Sequence, residues 1–224
     1  TFAARGLEPP RGVLTAIDEA RRDAEERVRS LLGRQGSSDR FDWSASSADE
    51  VALRVVATWA GPPLAKTIEH DGLRWQLQEF AVHRSAYQLK EADPHTWALP
   101  RLDGAAKAAF VTIQADEYGN GVAGSSHAEL FAVTMDALGL DDTYGAYLDR
   151  LPAATLATVN LVTFLGLHHR LLPGLLGHLA AFEMTSTGPM SRYSAALAKH
   201  GIGPEARRFY DEHVVADVAH AEVA

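Results

Sequence analysis

Apolar residues recur at three- and four-residue spacing over most of the chain, and nearly every segment reads as helix. Val13, Ile17, Ala20, Ala24, Val28 and Leu31 form one stripe, with Arg21, Arg22, Glu25, Glu26 and Arg29 on the opposite, solvated side. Residues 34–46 are rich in Ser, Gly and Asp and read as a linker. Ser47-Ala48-Asp49-Glu50 is a capping-box pattern, so a helix is expected from there to Gly61-Pro62-Pro63. A long helix is expected over 64–91, broken by Asp93-Pro94. Further helices are predicted over 102–118, 125–138 and 152–170. The apolar segment Leu171–Glu183 carries Gly174 and Gly177, where another helix can approach, and Gly188-Pro189 interrupts it. Pro204 opens the last helix. No alternating strand exceeds four residues. The expected fold is all-α, a bundle of roughly eight helices in one domain.

Composition narrows the chemistry. The 224 residues include no Cys, which removes disulfides, thiolate metal sites and a Cys nucleophile. Any metal must then be held by the ten His and by Asp or Glu. A net charge of −8 with no basic block argues against nucleic-acid binding. No apolar run is long enough to span a membrane, and no signal peptide opens the chain, so a cytoplasmic location is expected. The chain begins at Thr1 rather than Met and is expected to be a piece of something longer.

Gly119-Asn120-Gly121-Val122-Ala123-Gly124 matches G-x-G-x-x-G, but that fingerprint binds dinucleotides only after a strand, and here a helix precedes it. The plainer reading is a flexible turn, whose glycines also let groups on its two sides face one place. The last helix carries the densest constellation. His213, Asp217 and His220 fall at about 0°, 40° and −20° around it. Three polar groups in one arc need partners: either a hydrogen-bonded His–Asp–His stack or a divalent metal. Glu183 ends an apolar run and needs a cation or a proton. His178 could join in principle, while His168 and His169 point apart and read as structural. Glu117 and His127 flank the glycine turn, and Glu91 ends the long helix. Taken singly, each of these three is a surface or capping residue. Together the seven supply four carboxylates and three imidazoles, the donor set of a non-haem di-iron site. The E-x-x-H pair of ferritin-like proteins is absent.

At these residues the sequence resembles the haem-oxygenase-like di-iron oxidases, often labelled iron-containing redox enzymes. That family's pattern is Glu, Glu-x9-His, Glu, then His-x3-Asp-x2-His. Glu91, Glu117 with His127, Glu183, and His213 with Asp217 and His220 match it in order. The phrases Lys90–His95, Pro100-Arg101-Leu102, Asp116–Gly119 and Gly177–Ala180 are also similar, and the likeness covers roughly residues 70–220. The resemblance implies a haem-oxygenase-like bundle of seven to eight helices, the seven residues as metal ligands, two Fe(II)/Fe(III) ions, O2 as co-substrate and no haem. It implies a labile site whose last core helix can unwind without metal. It places the metal-binding core at 61–224, after N-terminal helices and a linker at 1–60, with a C-terminal extension expected to be missing. The implied reaction is oxidation of a small amine or amino acid in natural-product biosynthesis. Oxygen goes onto nitrogen, or C–H abstraction leads to desaturation, decarboxylation or C–C cleavage. An external electron donor and a homodimer are allowed for.

The competing reading is a non-catalytic helical binding protein of the same fold, its polar residues joined only by hydrogen bonds. Haem oxygenase itself needs a proximal His in its first helix, and residues 11–34 contain none. The thiaminase branch needs a Cys. Arg84, Arg101, His83 and Tyr118 lie near the ligand positions in sequence and could hold a substrate carboxylate or amine, or simply make ordinary intramolecular contacts.

Overall fold

A computed structural model describes residues 63–223. The stripe at 13–31, the linker, the capping box at 47–50 and the 1–60 segment lie outside the described residues. The described helices are α1 (Leu64–Asp71), α2 (Arg74–Gln88), the single turn α3 (Asp93–Thr96), α4 (Gly104–Glu117), α5 (His127–Ala137), α6 (Ala153–Leu167), α7 (Leu172–Thr185), α8 (Thr187–Lys199) and α9 (Pro204–Val223). Short 3-10 turns join several of them, and no strand occurs among the described residues. The all-α expectation holds.

The boundaries differ from expectation at three places. The helix expected over 64–91 is two helices. Gly72 and Leu73 turn extended (ψ 130° and 157°), and the Gln76 side chain accepts the Leu73 N–H at 2.8 Å, starting α2 afresh. Asp93-Pro94 does not merely stop a helix. It opens α3, because proline at the first turn forgoes an N–H that has no helical partner anyway. For the same reason Gly188-Pro189 sits inside the first turn of α8, and the break falls earlier, at Ser186. Gly174 meets Leu165 of α6 at 3.1 Å from where a Cβ would be, the close approach expected of it, whereas Gly177 faces open space.

Two apolar cores organise the bundle. One joins α1, α2, α5, α8 and α9 through Leu77, Phe131, Met135, Tyr193 and Phe209. The other joins α4, α6 and α7 through Phe110, Ile113, Val162, Leu175 and Leu179. Burying each such side chain contributes about 1.5–3 kcal/mol. The polar residues of interest lie where these cores meet: His127 and His213 stack against Phe209 of the first, while Leu179 of the second lines the adjoining cavity.

Candidate metal centre

Each candidate ligand stands where the chain bends or where a helix turns inward. Glu91 lies in the turn between α2 and α3, just before Ala92, whose φ of 73° reverses the chain. Glu117 is the last residue of α4 and His127 the first of α5. Between them Gly119 has φ 64°, and a Cβ there would lie 2.4 Å from the Ser125 carbonyl carbon, so only glycine fits. The turn brings Glu117 Oε2 and His127 Nδ1 to 3.0 Å. The Ser126 hydroxyl caps α5 by accepting from the Glu129 N–H, and the Glu129 carboxylate accepts from the Ser126 N–H, which fixes where His127 starts. Glu183 enters from α7. His213, Asp217 and His220 share the inward arc of α9 and are 5%, 1% and 4% exposed, while Val215 and Val218 face outward.

The seven residues converge. Glu91, Glu117, His127 and His213 form one group whose ligand atoms all lie within 4.8 Å of one another, and Glu117, Glu183 and His220 form a second. Glu117 belongs to both. Asp217 Oδ1 lies 3.9 Å from His220 Nδ1, and its Oδ2 accepts the Ser186 hydroxyl. His213 Nε2 lies 3.9 Å from Glu91 Oε1, and His220 Nδ1 lies 2.9 Å from Glu183 Oε2. None of the four carboxylates pairs with a Lys or Arg among the described residues.

The electrostatics are those of a crowded acidic cavity. Burial, then the Glu117 carboxylate, pushes the Glu91 carboxyl well above its ordinary range. Burial likewise raises Asp217 to about 7 against the Ser186 hydrogen bond. Burial would raise Glu117 too, but His127 beside it and the neighbouring imidazoles outweigh that and hold it low. Glu183 raises His220 to about 9, and burial lowers His213 to about 4. Glu91 Oε2, Asp217 Oδ1 and His127 Nδ1 are buried without a hydrogen-bond partner; the His127 ring N–H is not directed at the nearby Glu117 oxygen. Two carboxylate oxygens and one ring nitrogen left without hydrogen-bond partners, in an acidic cluster whose carboxylates make no ion pair with Lys or Arg among the described residues, suit a divalent cation. The residues present therefore fit carboxylate- and imidazole-bound metal.

The remaining sequence candidates fall elsewhere. His178 Nδ1 pairs with His95 Nε2 at 3.0 Å, and burial lowers these imidazoles to about 4 and about 3 respectively. His168 Nδ1 meets the Phe164 carbonyl at 2.8 Å, a structural contact. His83 bonds Thr155, Arg84 lies over the Phe80 ring, and Tyr118 donates to Asp93. Neither these three nor Arg101 lines the cavity beside the cluster.

Three residues that sequence reasoning passed over do matter. Asp116 Oδ2 stands 3.1 Å from His220 Nε2, the ring atom opposite the one facing Glu183. Tyr87 is held protonated by burial and by the adjacent Glu91. Gln114 is buried at the cavity wall. Its signal was present, a polar residue inside the Phe110–Ile113 apolar stripe, whereas Asp116 left none.

Residues 78–224 match the family model described as iron-containing redox enzyme. The nitrosourea synthase of Streptomyces achromogenes subsp. streptozoticus is 27% identical over 220 residues, covering 92% of this chain and 46% of that protein. The chain thus spans about half the length of that curated relative.

Proposed function

The chain belongs to the iron-containing redox enzymes, and from that membership we propose that its buried cluster holds two iron ions and uses O2 to oxidise a small amine or amino-acid-like substrate. One observation carries this reading: the convergence of Glu91, Glu117, His127, Glu183, His213, Asp217 and His220, whose acids make no ion pair with Lys or Arg among the described residues. When bound, the irons supply O2 activation, directed at a substrate nitrogen or at a C–H bond. The similarity to a nitrosourea synthase supports nitrogen as the atom oxidised.

The chain's own residues divide the remaining tasks. Glu117, common to both groups, would serve as a ligand in each. The Phe209 carbonyl, 2.6 Å from His213 Nδ1, takes that ring's N–H and leaves Nε2 for metal. Asp116 does the same for His220 from the Nε2 side, leaving Nδ1 toward Glu183. Leu179, Phe182 and Met190 line the adjoining cavity with apolar surface that excludes water. A cytoplasmic protein of natural-product biosynthesis, reduced by an external donor and assembled as a homodimer, completes the proposal.

The test is anaerobic loading with Fe(II), desalting and metal analysis. Two irons per chain are expected, falling to one in Asp217→Ala, and the loaded protein should change absorbance on exposure to O2. A chain that retains no iron, and whose melting temperature ignores both Fe(II) and chelator, is a hydrogen-bonded binding protein instead.

A further inference from the structure

A cavity opens within the cluster, lined by Glu91, Glu117, Glu183, His213 and Asp217, and Gln114 of α4 forms part of its wall. Gln114 is 2% exposed, and its Nε2 has no hydrogen-bond partner. Its Oε1 stands 2.7 Å from Thr96 Oγ1. Thr96 Oγ1 stands 2.8 Å from the Tyr118 hydroxyl, which stands 2.9 Å from Asp93 Oδ1. These four side chains form one hydrogen-bonded chain from an exposed acid on α3 to the buried cavity.

Counting protons along that chain decides which way the Gln114 amide faces. An exposed carboxylate only accepts, so Tyr118 gives its single hydroxyl proton to Asp93. Thr96 also has one proton. With Oε1 toward Thr96, that proton goes to Gln114, and the 2.8 Å contact between Thr96 and Tyr118 has no proton at all. Thr96 has one other outlet, the Ala92 carbonyl at 3.2 Å, and using it strips both shorter contacts. Half a turn about the last side-chain bond exchanges Oε1 and Nε2 without moving any heavy-atom position appreciably. Nε2 then donates to Thr96, Thr96 to Tyr118, and Tyr118 to Asp93. Each of the three contacts now holds one proton, and the amide atom left without a partner at the cavity wall is an acceptor.

We infer that Gln114 is a specificity-determining residue whose carbonyl oxygen faces the cavity, so that the substrate end received there carries a hydrogen to donate, as an N–H or O–H does. Glu91 Oε2 and Asp217 Oδ1 are the other unpartnered side-chain atoms of the residues lining this cavity. The inference rests on the proposed reading of this cavity as the substrate's side of the metal cluster.

The test uses the iron-free full chain with 15N-labelled glutamine and needs no activity. Gln114→Met identifies the side-chain signals. The expected spectrum has one Gln114 amide proton shifted downfield, with a strong cross-peak to the Thr96 methyl, and Thr96→Val removes the shift. Pyrrole and furan, neutral rings of one size, are then titrated and read at the Gln114 signals. Pyrrole, which donates, should bind about three- to tenfold more tightly than furan, which only accepts. An undisplaced amide pair with no cross-peak overturns the inference, as does furan binding equal to pyrrole or binding of neither. A chain that shows the cross-peak and takes up no iron refutes the iron reading alone. A chain that loads iron without the cross-peak refutes only the role of Gln114.

Discussion

Protons occupy the places that cations would take. In the metal-free cluster Asp217 holds a proton up to about pH 7, and His220 keeps its own up to about pH 9. A metal ligand must give its proton up. Both shifts are upward, so the proton-bound form persists to higher pH than in a free side chain, and metal competes with it throughout. Metal affinity is therefore expected to rise from pH 6 to pH 8, with protons released on binding. Titrating Mn(II) or Fe(II) calorimetrically in two buffers of different ionisation heat measures that release, and a buffer-independent heat contradicts it. The seven groups were legible because their order and spacing survive in one dimension. Gln114 showed only as a polar residue in an apolar stripe and Asp116 not at all, since their partners Thr96 and His220 meet them only when helices cross.

Helices place these groups, and the turns between helices set how closely they meet. The α4–α5 turn is the tightest case. Ala at 119 would put a methyl group 2.4 Å from the Ser125 backbone, whereas Ala at 121, also at positive φ (78°), meets nothing within 4 Å. Gly121→Ala should cost about 1 kcal/mol through conformation alone, and Gly119→Ala clearly more, because the backbone itself must shift. Only the latter should also weaken metal uptake, by separating Glu117 from His127. Denaturant midpoints and metal titrations of the two variants decide this, and equal effects would remove the turn's role. Helix type was readable from periodicity over most of the described residues, but no helix was expected over 187–199, where α8 lies. The split at Gly72 and the start of α8 at Thr187 were not, because both depend on which backbone groups find partners.

At the scale of the molecule, two apolar cores enclose one acidic seam, and carboxylates ionised there are costly to bury without a cation. Ligand that binds only the folded state stabilises it by about 2.7 kcal/mol at a hundred times its dissociation constant. For a domain of this size that is a rise in Tm of about 5–10 °C. Scanning calorimetry with anaerobic Fe(II), then with chelator, should show the rise and its reversal, and an unmoved Tm would refute it. The all-α architecture was legible from the sequence because every apolar stripe has helical period. The place of the seam between the two cores was not, because it exists only once the helices pack.

The pairing inside the seam has one more consequence. Glu117 faces His127 at 3.0 Å and Glu183 faces His220 at 2.9 Å, while Arg84 bears on Glu91. The metal-free interior therefore already balances much of its own charge. Should the proposed irons bind, each would enter by exchange, displacing protons from imidazole and carboxyl groups, so that uptake of metal is at the same time a discharge of acid.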